Sequence, residues 1–237
     1  MKIVITHLFP DVLNLYGENG NVTALKHALE SQNVETEVKS FTYGDSAETL
    51  SEADMIYVGS GTEAAFKKAA AYLYDYRDTV KTLIEEGKFF LATGNSLELF
   101  GERIKNSSAE AKTLGAVPFY TERMKERVVG ECVFTNSETN TEIIGFFNHQ
   151  GRTEEPPEWL FSINRGIIQG EEKEGVKYKN FAGTYLIGPL LVRNPELLQI
   201  LCKKLILSRD ESFKFLPFDF ELERKAHDVF LKKYEQK

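Results

Sequence analysis

The chain has 237 residues, of which 42% are hydrophobic and 27% are charged, so it can bury a core and is not mainly disordered. Its 29 basic and 36 acidic residues give a net charge of −7, which argues against nucleic acid as the main partner. Two cysteines cannot build a disulfide framework or a four-ligand zinc site, and no apolar run approaches the roughly 20 residues of a membrane-spanning helix. We therefore expect a reduced, cytoplasmic protein without a bound metal, a transmembrane segment or a signal peptide.

The first hundred residues predict alternating strands and helices. Short apolar runs predict strands at 2–7, 34–41, 54–59 and 88–92. Amphipathic segments predict helices at 21–32 and 62–86, and Gly87 is placed to end the second of these. Strands this apolar, separated by helices, predict an α/β fold with a doubly wound, mostly parallel sheet that helices cover on both faces.

From about Gly115 the pattern becomes β-rich. We expect antiparallel strands at 127–134 and 142–147, joined by a polar turn, and further short strands at 176–181 and 184–186. A helix at 195–207 begins with a proline, and a highly charged last helix covers 218–234. The chain has no internal repeat and no low-complexity linker.

In a sheet of this kind, ligands bind beyond the carboxyl ends of the strands. The loop of residues 8–20 is longer than most strand-to-helix loops, although a structured loop with a helix cap is the alternative. Backbone N–H groups in Gly59-Ser60-Gly61 are able to hold an anion or an oxyanion, although a plain turn is equally consistent. Neither a phosphate-binding P-loop nor a dinucleotide fingerprint is present.

The third loop follows the strand at 88–92. Thr93 is placed there where a nucleophile elbow presents its reactive side chain, but a threonine hydroxyl needs a base to react. For Ser96, a helix-capping role is expected. Of the four histidines, His7 and His149 lie at strand ends, and for His149 a hydrogen-bonded structural role is the alternative. No histidine or cysteine spacing is typical of a metal site.

Three segments carry a family resemblance: residues 9–21 (FPDVLNLYGENGN), 148–153 (NHQGRT) and 174–186 (EGVKYKNFAGTYL). Over nearly its whole length the chain resembles the GatD-type glutaminase subunits of lipid II isoglutaminyl synthase, which are CobB/CobQ-like class I glutamine amidotransferases. The resemblance implies one flavodoxin-like domain over residues 1–237, with a C-terminal helical extension at 210–237, and no cofactor. In that family a Cys–His pair releases ammonia from glutamine. An ATP-dependent, Mur ligase-like partner subunit then uses the ammonia to amidate the D-glutamate of a peptidoglycan precursor.

The chain departs from this family at its catalytic motifs. The resemblance aligns the cysteine of the Cys-Gly-Gly-Tyr-Gln elbow with Thr93, the glutamine of that elbow with Leu97, and the catalytic histidine with Ile187. Cys132 and Cys202 lie in a predicted strand and helix and cannot substitute for the nucleophile. Arg127 matches a family arginine that holds glutamine. We expect the substrate pocket to be formed by Gly59, Ser60, Gly61, Gly94, Arg127, Asn148 and His149.

Without a thiolate and a base, the glutaminase reaction is predicted to be absent. Three hypotheses follow. The first is a non-catalytic subunit that binds and regulates or stabilises the Mur ligase-like partner in a heterodimer. The second is an enzyme of altered chemistry that uses Thr93, Ser96 or His149. The third is a sensor that binds glutamine or another amino acid without turnover. The last helix either packs on its own domain or docks the partner.

Overall fold

The computed structural model describes residues 1–106, 112–166 and 172–235. The strands are β1 (Lys2–Leu8), β2 (Glu35–Phe41), β3 (Met55–Val58), β4 (Phe89–Thr93), β5 (Ile104–Lys105), β6 (Tyr120–Asn136), β7 (Glu142–Glu154), β8 (Phe161–Gly166), β9 (Lys173–Glu174), β10 (Val176–Tyr178), β11 (Phe181–Thr184) and β12 (Leu186–Ile187). The helices are α1 (Asn19–Glu30), α2 (Ala47–Ser51), α3 (Glu63–Leu73), α4 (Arg77–Glu85), α5 (Leu190–Arg193), α6 (Pro195–Leu207) and α7 (Glu221–Glu235), with 3₁₀ helices at Tyr74–Tyr76 and Gly94–Leu99.

The first sheet has the strand order β10-β11-β4-β3-β1-β2, and only β10 runs antiparallel to its neighbour. Every residue of β3 and β4 is buried. Alternate residues of β3 enter different cores: Ile56 packs with residues of α3 and α4, whereas Met55 packs with residues of α1 and α6. Helices therefore cover both faces, which confirms the predicted doubly wound, mostly parallel α/β sheet.

The second sheet has the order β12-β7-β6-β8-β9, with β5 added alongside β6. Its centre is the antiparallel pair β6 and β7, as predicted, but β6 begins at Tyr120 rather than near residue 127. The additional segment is polar, and its strand conformation depends on pairing with β7, from Tyr120 opposite Glu154 to Arg123 opposite Gly151. The register then shifts between Arg123 and Val128, which bends the strand.

The predicted helix at 62–86 is interrupted. It forms α3, a 3₁₀ turn and α4, and the hydroxyl groups of Tyr72 and Tyr76 beside the break both donate to the carbonyl oxygen of Asp45, at 3.0 and 2.8 Å. Gly87 follows α4 with a φ of 82°, as expected for a glycine at a helix end. Helix α6 has the predicted bounds. Within the described ranges, no helix is long and apolar enough to cross a membrane.

Helix α7 packs on its own domain. The guanidinium of Arg193 lies 5.1 Å from the ring centroid of Phe230, and Arg224 donates to Glu196 at 2.6 Å. The chain before α7 places four phenylalanine side chains against the core that contains α1 and α6: Phe213, Phe215, Phe218 and Phe220. Leu222 and Val229 remain 77% and 68% exposed. One face of α7 therefore contacts the domain, and apolar side chains also face solvent.

Candidate functional site

The loops after β1, β3 and β4 meet at one edge of the parallel sheet, as the sequence predicts. A cavity of about 410 Å³, here called the elbow cavity, lies between them and the second sheet. Six of the predicted site residues line it: Ser60, Gly61, Arg127, Asn148, His149 and Ile187. Residues that were not predicted complete the wall: Leu15, Tyr16, Thr62, Glu63, Asn95, Arg123 and Gln150.

The sharp turn after β4 is at Gly94, one residue later than the sequence predicts. Thr93 is the last residue of β4, with an extended backbone, and its fully buried hydroxyl donates to Glu18 at 2.6 Å. Gly94 has a φ of 62°, the left-handed conformation that glycine adopts most easily. A β-carbon built on Gly94 would lie 2.9 Å from Cγ2 of Ile187 and 2.3 Å from Cβ of Ser60. The elbow residue that faces Ile187 is therefore Gly94, and Thr93 lies beneath the site.

Glu18 connects the elements under the elbow. One carboxylate oxygen accepts hydrogen bonds from Thr93 at 2.6 Å and Tyr57 at 2.9 Å, and the other accepts from the Gly188 backbone N–H at 2.9 Å. The side chain is completely buried, and burial raises its pKa above the ordinary value of 4.5. Glu18 joins β3, β4 and the turn after β12. In the sequence, the only indication of this role was the position of Glu18 in a long, polar loop.

The glycine loop, residues 59–61, is fixed by side chains from the 3₁₀ turn. Ser96 donates to the carbonyl oxygen of Gly59 at 2.6 Å, so it does not cap a helix as predicted. Asn95 accepts from the Gly61 N–H at 3.1 Å and donates to the Gly61 carbonyl oxygen at 3.0 Å. Ser60 is 2% exposed, and its hydroxyl has no partner among the described residues. Two successive side chains thus tie this loop to the elbow turn.

Arginines lie on the side of the elbow cavity formed by the second sheet. Arg127 donates to the side chain of Asn148 at 2.8 Å, and Asn148 donates to Tyr16 at 2.9 Å. Arg123, which the sequence did not predict, lies 3.5 Å from Glu63. Both arginines line the elbow cavity, beside the irregular part of β6 between Arg123 and Val128. Because carboxylates already lie beside Arg123, Arg127 is the cationic group of the cavity wall that is suited to a carboxylate ligand.

His149 forms another part of the wall. Its Nδ1 lies 2.7 Å from the carbonyl oxygen of Gly151, so Nδ1 carries the proton and Nε2 is an acceptor. Nε2 has no partner among the described residues. Burial lowers the pKa of His149 to about 4, and its ring stacks on Tyr185 at 4.3 Å. The imidazole is neutral near pH 7, but the hydroxyls proposed to react with it, those of Thr93 and Ser96, are both hydrogen-bonded elsewhere.

The other reactive side chains do not line the elbow cavity. His7 is 4% exposed, burial lowers its pKa to about 4, and its ring packs on Tyr57. Cys132 and Cys202 are both completely buried, and burial raises the pKa of Cys202 to about 12. Within the described parts of the chain, no group of three histidine, cysteine or acidic side chains is arranged to hold a metal ion.

Comparisons with known proteins agree with the resemblance found in the sequence. The model of the CobB/CobQ-like glutamine amidotransferase domain matches residues 4–195. The chain is 31% identical over 233 residues to the lipid II isoglutaminyl synthase (glutamine-hydrolyzing) subunit GatD of Staphylococcus aureus strain N315, covering 97% of this chain and 95% of that protein. It is 30% identical over 202 residues to the GatD subunit of Streptococcus pneumoniae, covering 83% and 77%.

Solved structures show the same fold. A crystal structure of a glutamine amidotransferase aligns with a TM-score of 0.58 at 19% identity, over 85% of this chain and 97% of that one. The glutaminase domain of Trypanosoma brucei CTPS, with bound acivicin, aligns with a TM-score of 0.57 at 8% identity, over 91% and 96%. These identities are low enough that they support the fold alone. The family match over residues 4–195 and the GatD relatives establish that the chain is a GatD-type member of the CobB/CobQ-like glutamine amidotransferase family.

Proposed function

We propose that this protein is a subunit of a lipid II isoglutaminyl synthase-type complex that does not hydrolyse glutamine. Its role is to bind, and to regulate or stabilise, an ATP-dependent, Mur ligase-like partner in a heterodimer that amidates a peptidoglycan precursor. The observation that carries this proposal is Gly94, a residue without a side chain at the elbow, opposite Ile187. The GatD likeness over 97% of the chain supports the subunit role.

The chemistry follows from these two positions. We assign the nucleophile-equivalent position to Gly94 and the base-equivalent position to Ile187, because a β-carbon on Gly94 would contact the Ile187 side chain. A glycine has no nucleophilic side chain, and an isoleucine cannot accept or return a proton. Removing either member of a nucleophile–base pair abolishes most of the rate, so removing both leaves no glutaminase activity of this kind.

A cytoplasmic location is part of the proposal. Both cysteines are completely buried, in a strand and a helix. Substrate amidation that depends on ATP also requires a compartment that contains ATP.

Glutamate release from glutamine tests the proposal directly. We expect the wild-type protein, alone and with its Mur ligase-like partner, to release glutamate no faster than buffer. Clear turnover by the wild type would contradict the proposal.

A gain-of-function variant tests the assignment of positions. Gly94→Cys and Ile187→His supply the nucleophile and the base, Ser60→Gly removes the 2.3 Å clash with the new β-carbon, and Asn95→Gly releases the Gly61 N–H. The matched control carries Thr93→Cys in place of Gly94→Cys, with the other three changes. We expect glutamate release from the Gly94→Cys set only, because Thr93 points towards Glu18. Activity in the control alone would overturn the assignment.

Amino-acid binding without turnover is a second candidate function, favoured by the guanidinium group of Arg127, which contacts the neutral Asn148 in a cavity of about 410 Å³. Its test is thermal stabilisation by single amino acids, and loss of that effect in Arg127→Ala. An enzyme of altered chemistry has less support, because the hydroxyls of Thr93 and Ser96 are both buried and hydrogen-bonded.

A further inference from the structure

Gly61 has both of its backbone polar groups paired with one side chain. Its N–H donates to Oδ1 of Asn95 at 3.1 Å, and its carbonyl oxygen accepts from Nδ2 of Asn95 at 3.0 Å. This pairing fixes the orientation of the Asn95 amide, because the opposite orientation would place an NH₂ group against an N–H and an oxygen against an oxygen. The Gly61 N–H is consequently occupied in the folded protein.

The group that occupies Gly61 is a primary carboxamide, the same group that ends the side chain of glutamine. A glutamine carboxamide that used the Gly61 N–H would need its oxygen where Oδ1 of Asn95 now lies. One N–H forms only one strong hydrogen bond with good geometry. Asn95 and a carboxamide ligand therefore compete for the same donor. Asn95 has the advantage, because it is part of the same chain and already forms the hydrogen bond.

Further contacts on both sides of Gly61 hold the glycine loop in this position. Ser60 lies so close to the elbow that a β-carbon on Gly94 would approach its Cβ to 2.3 Å. The Ser60 carbonyl oxygen accepts from the Leu15 N–H at 3.0 Å, and the Gly59 carbonyl oxygen accepts from Ser96 at 2.6 Å. The loop is thus fixed on both sides of Gly61 and cannot easily move away to accept a ligand.

We propose that Asn95 is a specificity-determining residue that closes the glycine loop to carboxamide ligands, so that the wild-type protein does not bind glutamine there. This inference rests on the proposed function but is separate from it, since it concerns binding rather than turnover. It also narrows the sensor hypothesis to ligands without a primary carboxamide.

The experiment measures glutamine and glutamate binding to the full chain by isothermal titration calorimetry. Glutamate is the matched ligand, because its side chain ends in a carboxylate, which is able to accept from the Gly61 N–H but has no N–H to donate to the Gly61 carbonyl oxygen. We expect Asn95→Ala to bind glutamine at least about tenfold more tightly than the wild type, because the ligand no longer has to displace two hydrogen bonds. Glutamate affinity is expected to change by much less. Asn95→Gly provides a second opened variant if Asn95→Ala does not fold.

Hydrogen exchange at the Gly61 amide gives an independent readout. We expect the amide to be protected in the wild type, exposed in Asn95→Ala, and protected again when glutamine, but not glutamate, is added. Equal glutamine affinity in the wild type and in folded variants, whether measurable or absent, would overturn the proposal. Glutamate release by the wild type would instead contradict the proposed function, so the two failures are distinguishable.

Discussion

The guanidinium of Arg123 lies 2.7 Å from a carboxylate oxygen of Glu98, whose side chain is completely buried. The same guanidinium lies 3.5 Å from Glu63 at the wall of the elbow cavity. Burial raises the pKa of Glu98 to about 7, although the positive charge of Arg123 opposes this shift. One arginine therefore links a carboxyl group inside the protein to the rim of the cavity.

The raised pKa of Glu98 predicts that the stability of the protein depends on pH. Its folded-state pKa of about 7 lies above the ordinary 4.5, so its contribution to the free energy of unfolding is complete below pH 4.5 and is lost as the pH rises to 7. Glu98→Gln is expected to flatten the profile in this window, as measured by urea denaturation. His7 and His149 act oppositely, because their lowered pKa values of about 4 remove stability as the pH falls from 6.5. Both histidines are present in the wild type and in Glu98→Gln, so their contributions cancel when the two stability profiles are subtracted. Parallel profiles would show that Glu98 ionises normally.

Gly94→Ala should be strongly destabilising. The left-handed backbone costs about 1–2 kcal/mol for a residue with a β-carbon, and the clash with Ser60 adds about 1–3 kcal/mol. Gly17→Ala is the matched control, because Gly17 has a φ of 75° and nothing within 4 Å of an added β-carbon. Chemical denaturation should show a larger loss for Gly94→Ala, with partial recovery in the double variant with Ser60→Gly. Equal losses at the two glycines would contradict the close approach of Ser60.

Glu18→Ala should lower the free energy of unfolding by about 3 kcal/mol, since it leaves buried donors without their acceptor. The donors are the hydroxyls of Thr93 and Tyr57, the side-chain amide of Asn21 and the backbone N–H of Gly188. Glu30→Ala, an exposed glutamate at the end of α1, serves as the control and should change stability little. A similar small effect for both variants would show that Glu18 does not hold these elements together.

Removing residues 218–237 should leave a folded protein with weaker partner binding. The deletion exposes surface now covered by Phe218 and Phe220, which are partly buried, and we expect a loss of about 3 kcal/mol with cooperative unfolding retained. A double variant, Leu222→Ser with Val229→Ser, separates binding from stability because both side chains are largely exposed. It should bind the Mur ligase-like partner less tightly at unchanged stability. Unfolding of the deleted protein would place α7 in the core, and unchanged binding by the double variant would exclude this face as the docking surface.

The central sheet could be predicted because its information is local. Strands β1, β3 and β4 are short apolar runs, and Gly87 and Pro195 lie at helix ends where their backbone preferences are strongest. The elbow was placed one residue early because β4 extends through Thr93. That extension depends on pairing between Thr93 and Thr184, a contact between distant parts of the chain that no local pattern contains.

The site residues that were not predicted also depend on contacts between distant parts of the chain. Arg123 lies in a polar stretch whose strand conformation depends on pairing with β7, and its partner Glu98 lies two residues after Ser96, for which only a helix-capping role was predicted. The sequence placed Glu18 in a loop. Its burial, however, depends on contacts with β3, β4 and the turn at Gly188, which come together only in the folded protein. Motif positions such as Arg127 and His149 were found because a family pattern marks them.

The close approach of Ser60 to Gly94 also limits how this sequence can change over generations. Any side chain introduced at position 94 meets Ser60 at 2.3 Å, so a single substitution cannot place a nucleophile there without loss of stability. Ser60→Gly must come first, and by itself it brings no catalytic benefit on which selection would act. Under the proposed function, each single substitution towards amide hydrolysis is therefore neutral or destabilising until Ser60→Gly and a nucleophile at position 94 are present together.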